Sequence, residues 1–136
     1  MIATICRKAS FNAAHRLHNT NWNEQQNMEV FGKCNNPNYH GHNYDLVIKI
    51  TGEIKPETGY VVDAKILNEI IQTEIIERFD HKNLNLDTQD FKTLNPTTEN
   101  IAVIIYNLLI PKIENLNKLT ILLYETERNY VEYSGE

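Results

Sequence analysis

The chain has 136 residues, of which 41% are hydrophobic and 23% charged, and it carries a formal net charge of −5. This length and composition predict one globular domain over residues 1–136 and exclude intrinsic disorder, collagen-like and coiled-coil character. The acidic balance argues against a nucleic-acid partner, and the apolar stretches are too short to span a membrane. No secretory signal is expected, and Cys6 and Cys34 are the only cysteines, so a disulfide framework is excluded and a cytoplasmic location is expected.

The amino-terminal half of the chain predicts strands separated by a short helix. Residues 2–11 are predicted to form a strand, and a short helix is expected within residues 22–31. Residues 42–51 are the clearest strand, because every second side chain on one face is apolar. That face consists of Tyr44, Leu46, Ile48 and Ile50. A turn signal at residues 56–59 follows, so residues 60–62 are predicted to form a hairpin with this strand.

The carboxy-terminal half predicts two long helices and a closing hairpin. Asp63 is a suitable N-cap for a helix over residues 63–78, whose apolar residues are mostly four apart. A second helix is expected to begin at Thr97 or Thr98, both of which are cap candidates. Residues 119–133 then predict two short strands joined by a turn.

Together these elements predict an α+β fold, with a four-stranded antiparallel sheet that carries two helices on one face. Such a sheet has open edges, and open edges must be covered, charged or paired. Pairing of sheet edges between copies of the chain is one way to meet that requirement.

The informative histidines are His40 and His42. Residues two apart on a strand point to the same side, so both imidazoles can converge on one point, and Gly41 between them lets a ligand approach the backbone. His15 or His18 could supply a third imidazole. Three histidines around zinc leave the fourth position open, which is the catalytic pattern. The alternative is a pair of solvent-exposed imidazoles, and for His18 the solvated interpretation is favoured.

Cys34 lies in a loop by composition, directly after Lys33. Reactive thiols occupy partly exposed loops near positive charge, so Cys34 is a candidate reactive thiol. Two alternatives remain open: a buried cysteine that packs as a small hydrophobe, and a fourth zinc ligand that closes a structural site. Cys6 lies within an apolar-alternating strand and is predicted to be structural.

Two further groups could carry chemistry. Asp80 precedes His81, and an aspartate beside a histidine can fix its tautomer for acid–base work, although a histidine at a helix end is also favoured by the helix dipole. Glu125 ends a strand with an apolar face. Its carboxylate is either a solvated strand end or an anchor that accepts two hydrogen bonds from a guanidine-like heterocycle edge.

Several stretches of the chain resemble the family of 6-pyruvoyltetrahydropterin synthase and 6-carboxytetrahydropterin synthase. Each stretch is modest alone, but together they run in order through nearly the whole chain. They are residues 11–17, 32–37, 40–44, 80–84, 96–102 and 124–126.

The resemblance implies the tunnelling fold, in which protomers join their sheet edges into a barrel trimer and two trimers stack into a hexamer. It implies a zinc ion held by His15, His40 and His42. It also implies that the active site is shared between protomers, so that its residues need not all meet within one chain.

The same resemblance implies the roles of the remaining site residues. Cys34 would be the catalytic thiol and would act with Asp80 and His81. Glu125 would anchor the pterin ring. Substrate-binding roles for Thr97 and Thr98 follow from the same resemblance.

The implied reaction converts 7,8-dihydroneopterin triphosphate to 6-pyruvoyltetrahydropterin and triphosphate, as in tetrahydrobiopterin biosynthesis. One alternative is 6-carboxytetrahydropterin synthesis on the queuosine route, but the spacing from Cys34 to His40 favours the pyruvoyl branch. An alternative of another class is a non-catalytic, zinc-holding assembly module. Such a module would lack the thiol, the Asp–His pair or the pterin carboxylate, and this chain has all of them.

Overall fold

A computed structural model describes residues 1–136 and contains one mixed sheet. Its strands follow the order β3-β1-β2-β4-β5, in which only β3 runs parallel to its neighbour. The strands are β1 Ile2–His15, β2 His40–Glu53, β3 Lys82–Asn83, β4 Leu116–Tyr124 and β5 Tyr130–Tyr133.

The helices lie between the strands in the sequence, and none of them is long and apolar enough to cross a membrane. They are α1 Glu24–Phe31, α2 Ala64–Ile71, α3 Glu77–Phe79, α4 Leu84–Asp87 and α5 Thr98–Leu109. Single turns of 3-10 helix follow α1 and α5, at Gly32–Asn35 and Ile110–Lys112. The predicted N-caps are confirmed, since Asp63 caps α2 and Thr97 caps α5.

The long antiparallel pair of β1 and β2 is the framework of the fold. It pairs Ile2 with Glu53 at one end and His15 with His40 at the other. Side chains alternate between the two faces of a strand. One face of β2 is fully buried from Tyr44 to Ile50, as its apolar alternation predicted, and belongs to a single core of 21 residues. The same alternation places His15 and His40 on the core side at the end of the pair.

The sheet differs from the predicted four antiparallel strands in two ways. The predicted hairpin strand at residues 60–62 is absent, because β1 and β4 already occupy both edges of β2. Val61 instead packs into the core, beside Gly52. The two-residue strand β3 was not predicted, and it pairs with the other edge of β1 at Ala13 and Ala14.

Some predicted boundaries also change. β1 continues past residue 11 to His15, because its ladder to β2 extends that far. The helix predicted over residues 63–78 is interrupted by a π-helical turn at Gln72–Ile76. The structural role predicted for Cys6 is wrong, since this residue is exposed on β1.

Candidate active site

Three imidazoles meet at the end of the β1–β2 pair. His15 is the last residue of β1, and His40 and His42 open β2. Because β2 starts at His40 rather than at residue 42, both of its histidines obey the strand alternation and face the same side as His15. One ring nitrogen from each residue lies within 4.8 Å of the other two. Small adjustments of the side chains would bring all three onto one ion.

The free nitrogens of this cluster fit a metal ion. His15 Nε2, His40 Nδ1 and His42 Nε2 are buried and have no hydrogen-bond partner. Buried polar atoms are rarely left unpaired, so three of them close together suit the binding of a cation. Three imidazoles are a donor set that zinc accepts, and they leave a fourth position for another ligand.

The orientation of His15 is fixed by a backbone carbonyl. Its Nδ1–H donates to the carbonyl oxygen of Pro96 at 2.7 Å, which leaves the lone pair of the neutral ring on Nε2. The pKa of His15 is lowered to about 4, mainly by burial and also by nearby His40, while the hydrogen bond to Pro96 acts in the opposite direction. His15 is therefore neutral at physiological pH, which is the form that binds a metal.

Glu125 lies beside the imidazole cluster. It is the first residue after β4, and its Oε1 is 3.5 Å from His42 Nε2. Its other oxygen accepts a hydrogen bond from the Thr98 hydroxyl at 2.5 Å. Burial lowers the pKa of His42, while the Glu125 carboxylate acts in the opposite direction. The carboxylate is thus held at the rim of the candidate metal site by a residue of α5.

The two threonines at the start of α5 have different contacts. The Thr97 hydroxyl accepts a hydrogen bond from the backbone N–H of Asn100 and so caps the helix. The Thr98 hydroxyl donates to Glu125. Of the two, Thr98 is the one that contacts a candidate site residue.

Cys34 shares a cavity with two of the histidines. It lies in the 3-10 turn that follows α1, where it is half-buried. The cavity has a volume of about 730 Å³, and its walls include Lys33, Cys34, His40 and His42. Burial raises the pKa of the Tyr44 hydroxyl, and the charges of Glu125 and Cys34 act in the same direction. The Tyr44 hydroxyl is also 3.3 Å from His15 Nδ1.

Asp80 and His81 form a pair at the edge of β1 that pairs with β3, on the side away from β2. Asp80 Oδ2 lies 2.9 Å from His81 Nδ1, and its Oδ1 accepts a hydrogen bond from the Asn12 N–H at 2.8 Å. The His81 N–H in turn donates to the Asn12 carbonyl oxygen at 2.6 Å. The Asn12 N–H and the hydrogen bonds of His81 lower the pKa of the Asp80 carboxyl.

This pair does not line the Cys34 cavity within the single chain. The His81 side chain is 81% exposed, so its ring faces outward from the sheet edge. His81 has a φ of 60°, a left-handed conformation that turns the chain from α3 into β3.

Two backbone groups that contribute to the site were not predicted from the sequence. The carbonyl of Pro96 orients His15, and the backbone of Asn12 holds Asp80. Backbone groups carry no residue-type signal, so only the fold reveals them. His18 was predicted to be solvated, but it is half-buried and its Nδ1 is 2.8 Å from the Asn35 amide nitrogen.

Comparisons with known proteins identify relatives of this chain. The family model described as 6-pyruvoyl tetrahydropterin synthase matches residues 4–136. The chain is 41% identical to the human 6-pyruvoyl tetrahydrobiopterin synthase over 134 residues, which cover 98% of the chain and 92% of the human protein. It is 42% identical to the Drosophila melanogaster protein of the same name, covering 98% of the chain and 80% of that protein.

A solved structure of the Caenorhabditis elegans 6-pyruvoyl tetrahydropterin synthase superposes with a TM-score of 0.91 at 40% sequence identity, covering 100% of this chain and 97% of that one. The resemblance inferred from the sequence motifs is therefore confirmed. The chain belongs to the 6-pyruvoyl tetrahydropterin synthase family.

Proposed function

We propose that the chain is a zinc-dependent lyase that converts 7,8-dihydroneopterin triphosphate to 6-pyruvoyltetrahydropterin and triphosphate. The observation that carries this proposal is the grouping of three partnerless imidazole nitrogens with a half-buried thiol and a carboxylate. Membership of a family of synthases supports the same activity. The non-catalytic alternative required the loss of the thiol, the Asp–His pair or the carboxylate, and all of them are present.

The protein would hold zinc through His15, His40 and His42. A bound zinc ion supplies Lewis-acid polarisation of substrate oxygens and acidifies the neighbouring hydroxyl and C–H groups. The Pro96 carbonyl keeps His15 in the tautomer that presents its Nε2 lone pair. Burial keeps the same ring neutral, so no proton competes for that lone pair at neutral pH.

Glu125 would anchor the pterin ring. The edge of a pterin presents two parallel N–H donors, and a carboxylate accepts such a pair with two oxygens. Thr98 donates to one oxygen of Glu125, which fixes the orientation of the carboxylate before the ring arrives. Since Oε1 is only 3.5 Å from His42, a ring held there would lie next to the imidazole cluster.

Cys34 and the Asp80–His81 pair would move the protons. The Cys34 thiolate would take a proton from the substrate side chain, and His81, oriented by Asp80, would act as the partner acid or base. The bond from carbon to the triphosphate oxygen breaks, and triphosphate leaves with its electron pair. Oxidation of the side chain and reduction of the ring balance within the same molecule, so no external redox cofactor is needed.

The site would be completed between protomers. The outer edge of β1 pairs only with the two residues of β3, so most of its 14 residues are free to bind a strand of another copy. Pairing of the outer edge of β1 with a strand of another copy would assemble the barrel trimer. Two stacked trimers would form the hexamer. The outward-facing His81 could then reach the Cys34 cavity of another protomer. The expected location remains the reducing cytoplasm, where a working thiol persists.

The test is triphosphate release from 7,8-dihydroneopterin triphosphate by the purified protein. The protein is first stripped with a chelator and then reloaded with zinc. The proposal expects release only after reloading. Equal release from the stripped protein would contradict the zinc requirement, and no release from either form would contradict the function.

A further inference from the structure

The turn that carries Cys34 is fastened to the residues that follow His15. The Leu17 N–H donates to the Cys34 carbonyl oxygen at 2.8 Å. Arg16 Nε donates to the carbonyl oxygen of Asn35, also at 2.8 Å. Because His15 ends β1 just before Arg16, these bonds connect the thiol-bearing turn directly to the strand that bears a candidate metal ligand.

The side chain of Asn35 is the centre of this connection. It is only 5% exposed, and its amide nitrogen donates to the Leu17 carbonyl oxygen and to His18 Nδ1, both at 2.8 Å. The Leu17 carbonyl can only accept a hydrogen bond, so the atom of Asn35 that faces it must be the nitrogen. Both amide hydrogens are therefore used to hold the segment after His15.

The opposite end of the loop is fixed independently. Cys34 is connected through residues 35–39 to His40, which is held in the β1–β2 ladder opposite His15. Within this connection the Tyr39 N–H donates to the Asn36 carbonyl oxygen at 3.0 Å. The position of the thiol relative to the imidazoles thus depends on how the other end of the loop is held, which the Asn35 side chain does together with the bonds from Leu17 and Arg16.

We infer that Asn35 is a positioning residue, which holds the Cys34 thiol beside the imidazole cluster without letting it become a metal ligand. This inference rests on the proposed function, in which the thiol must reach a substrate atom rather than the ion. A displacement of the order of 1 Å at a reacting group can lower the rate about 100-fold. Loss of the Asn35 contacts therefore affects the chemical step more than it affects binding.

The chain offers a matched control in Asn27. This residue is fully buried, and its amide nitrogen donates to the carbonyl oxygens of Asn19 and Asn23, each at 3.0 Å. Like Asn35, it clamps a loop through its amide. Unlike Asn35, its bonds close the loop before α1 and do not contact the Cys34 turn.

The experiment compares Asn35→Asp with Asn27→Asp, two isosteric changes that remove an amide donor from a buried loop. Zinc content, thermal midpoint, kcat and KM are measured for each variant. Both variants should lose stability and keep zinc. Asn35→Asp should lower kcat by about 10- to 100-fold with KM within about twofold of wild type. Asn27→Asp should keep the wild-type kcat.

A wild-type kcat in Asn35→Asp, or an equal fall in both variants, would overturn the inference. If Asn35→Asp does not fold, Arg16→Met removes only the side-chain bond to the Asn35 carbonyl and should lower kcat by a smaller factor. An unchanged kcat in Arg16→Met would then overturn the inference.

Failure of the proposed function is recognised separately, because wild type itself would then show no turnover. In that case, the positioning role is tested by the rate at which Cys34 is alkylated. All proteins compared also carry Cys6→Ser, so that Cys34 is their one cysteine. The reaction is run at alkaline pH, where access to the thiol sets the rate. Asn35→Asp should react faster than wild type, and Asn27→Asp should not. Equal alkylation rates in wild type, Asn35→Asp and Asn27→Asp would overturn the inference.

Discussion

Glu125 Oε1 lies 3.5 Å from Nε2 of His42. The two residues are far apart in the sequence, since His42 lies near the start of β2 and Glu125 directly follows the end of β4. The β2–β4 ladder causes this approach, since it pairs Asp45 with Tyr124 and so brings the end of β4 beside the start of β2. A ligand anchored on Glu125 is therefore delivered to the imidazole cluster.

Glu125→Gln should keep the fold and the zinc content but weaken pterin binding. The amide would place a donor against one N–H of the pterin edge, and a hydrogen bond to a charged group contributes about 1.5–3 kcal/mol. Direct titration of a pterin ligand into the zinc-loaded protein measures this change.

Thr98→Val is the matched control for that titration. It removes only the hydroxyl that donates to Glu125, so the expected loss is about 1 kcal/mol. Wild-type pterin affinity in Glu125→Gln would mean that Glu125 is merely a strand end.

Cys34→Ala should abolish turnover and leave zinc near stoichiometric, while His40→Ala or His42→Ala should lose both. In the proposed zinc site three imidazoles fill the protein side, so the thiol would not be needed to hold the ion. His18→Ala is the control and should keep its zinc, since its Nδ1 is engaged with Asn35. Metal analysis of the purified variants makes the measurement. Zinc lost together with activity in Cys34→Ala would make the thiol a ligand of a closed structural site.

Mixing two inactive variants should restore activity if the site is shared. Cys34→Ala and His81→Ala are unfolded together, refolded as a mixture and assayed. Random assembly would place an intact Cys34 and an intact His81 in about a quarter of the sites, so about a quarter of the wild-type activity should return. Each variant refolded alone is the control. An inactive mixture, with mixed oligomers present, would mean that both groups act from the same chain.

Asp80 should contribute stability that disappears in acid. Its folded-state pKa is lowered by the Asn12 N–H and by His81, so the contribution is present above the unfolded pKa of about 3.9 and is lost as the pH falls through the folded value. The free energies of unfolding in urea of wild type and Asp80→Asn should therefore differ at about pH 6. They should converge towards about pH 3. Glu57→Gln, in an exposed turn, is the control. A difference in the free energy of unfolding that stays constant with pH would contradict this contribution of the Asp80 carboxylate.

Local patterns predicted much of this molecule, because the features concerned depend on neighbouring residues. The alternation from Tyr44 to Ile50 predicted the buried face of β2, and strand geometry predicted that His40 and His42 converge. The N-caps Asp63 and Thr97 were recognised from their side-chain chemistry. The choice of His15 over His18 came from the family resemblance, since spacing alone left both open.

The features that escaped prediction depend on contacts between distant parts of the chain. Residues 60–62 follow a clear turn signal, but the edge of β2 they were expected to join is taken by β1 or β4. The bond from His15 to the Pro96 carbonyl joins residues 81 positions apart through an atom that every residue possesses. The π-helical turn at Gln72–Ile76 lies inside an apolar pattern that reads as an uninterrupted α-helix.

In the proposed reaction, this site forms the pyruvoyl product by internal redox chemistry at a zinc-loaded three-histidine centre. The most direct measurement is mass analysis of the product that the zinc-loaded protein forms from 7,8-dihydroneopterin triphosphate under anaerobic conditions. We expect 6-pyruvoyltetrahydropterin and triphosphate to form with no added redox cofactor. Formation of 6-carboxytetrahydropterin with release of acetaldehyde, or recovery of unchanged substrate, would contradict this expectation.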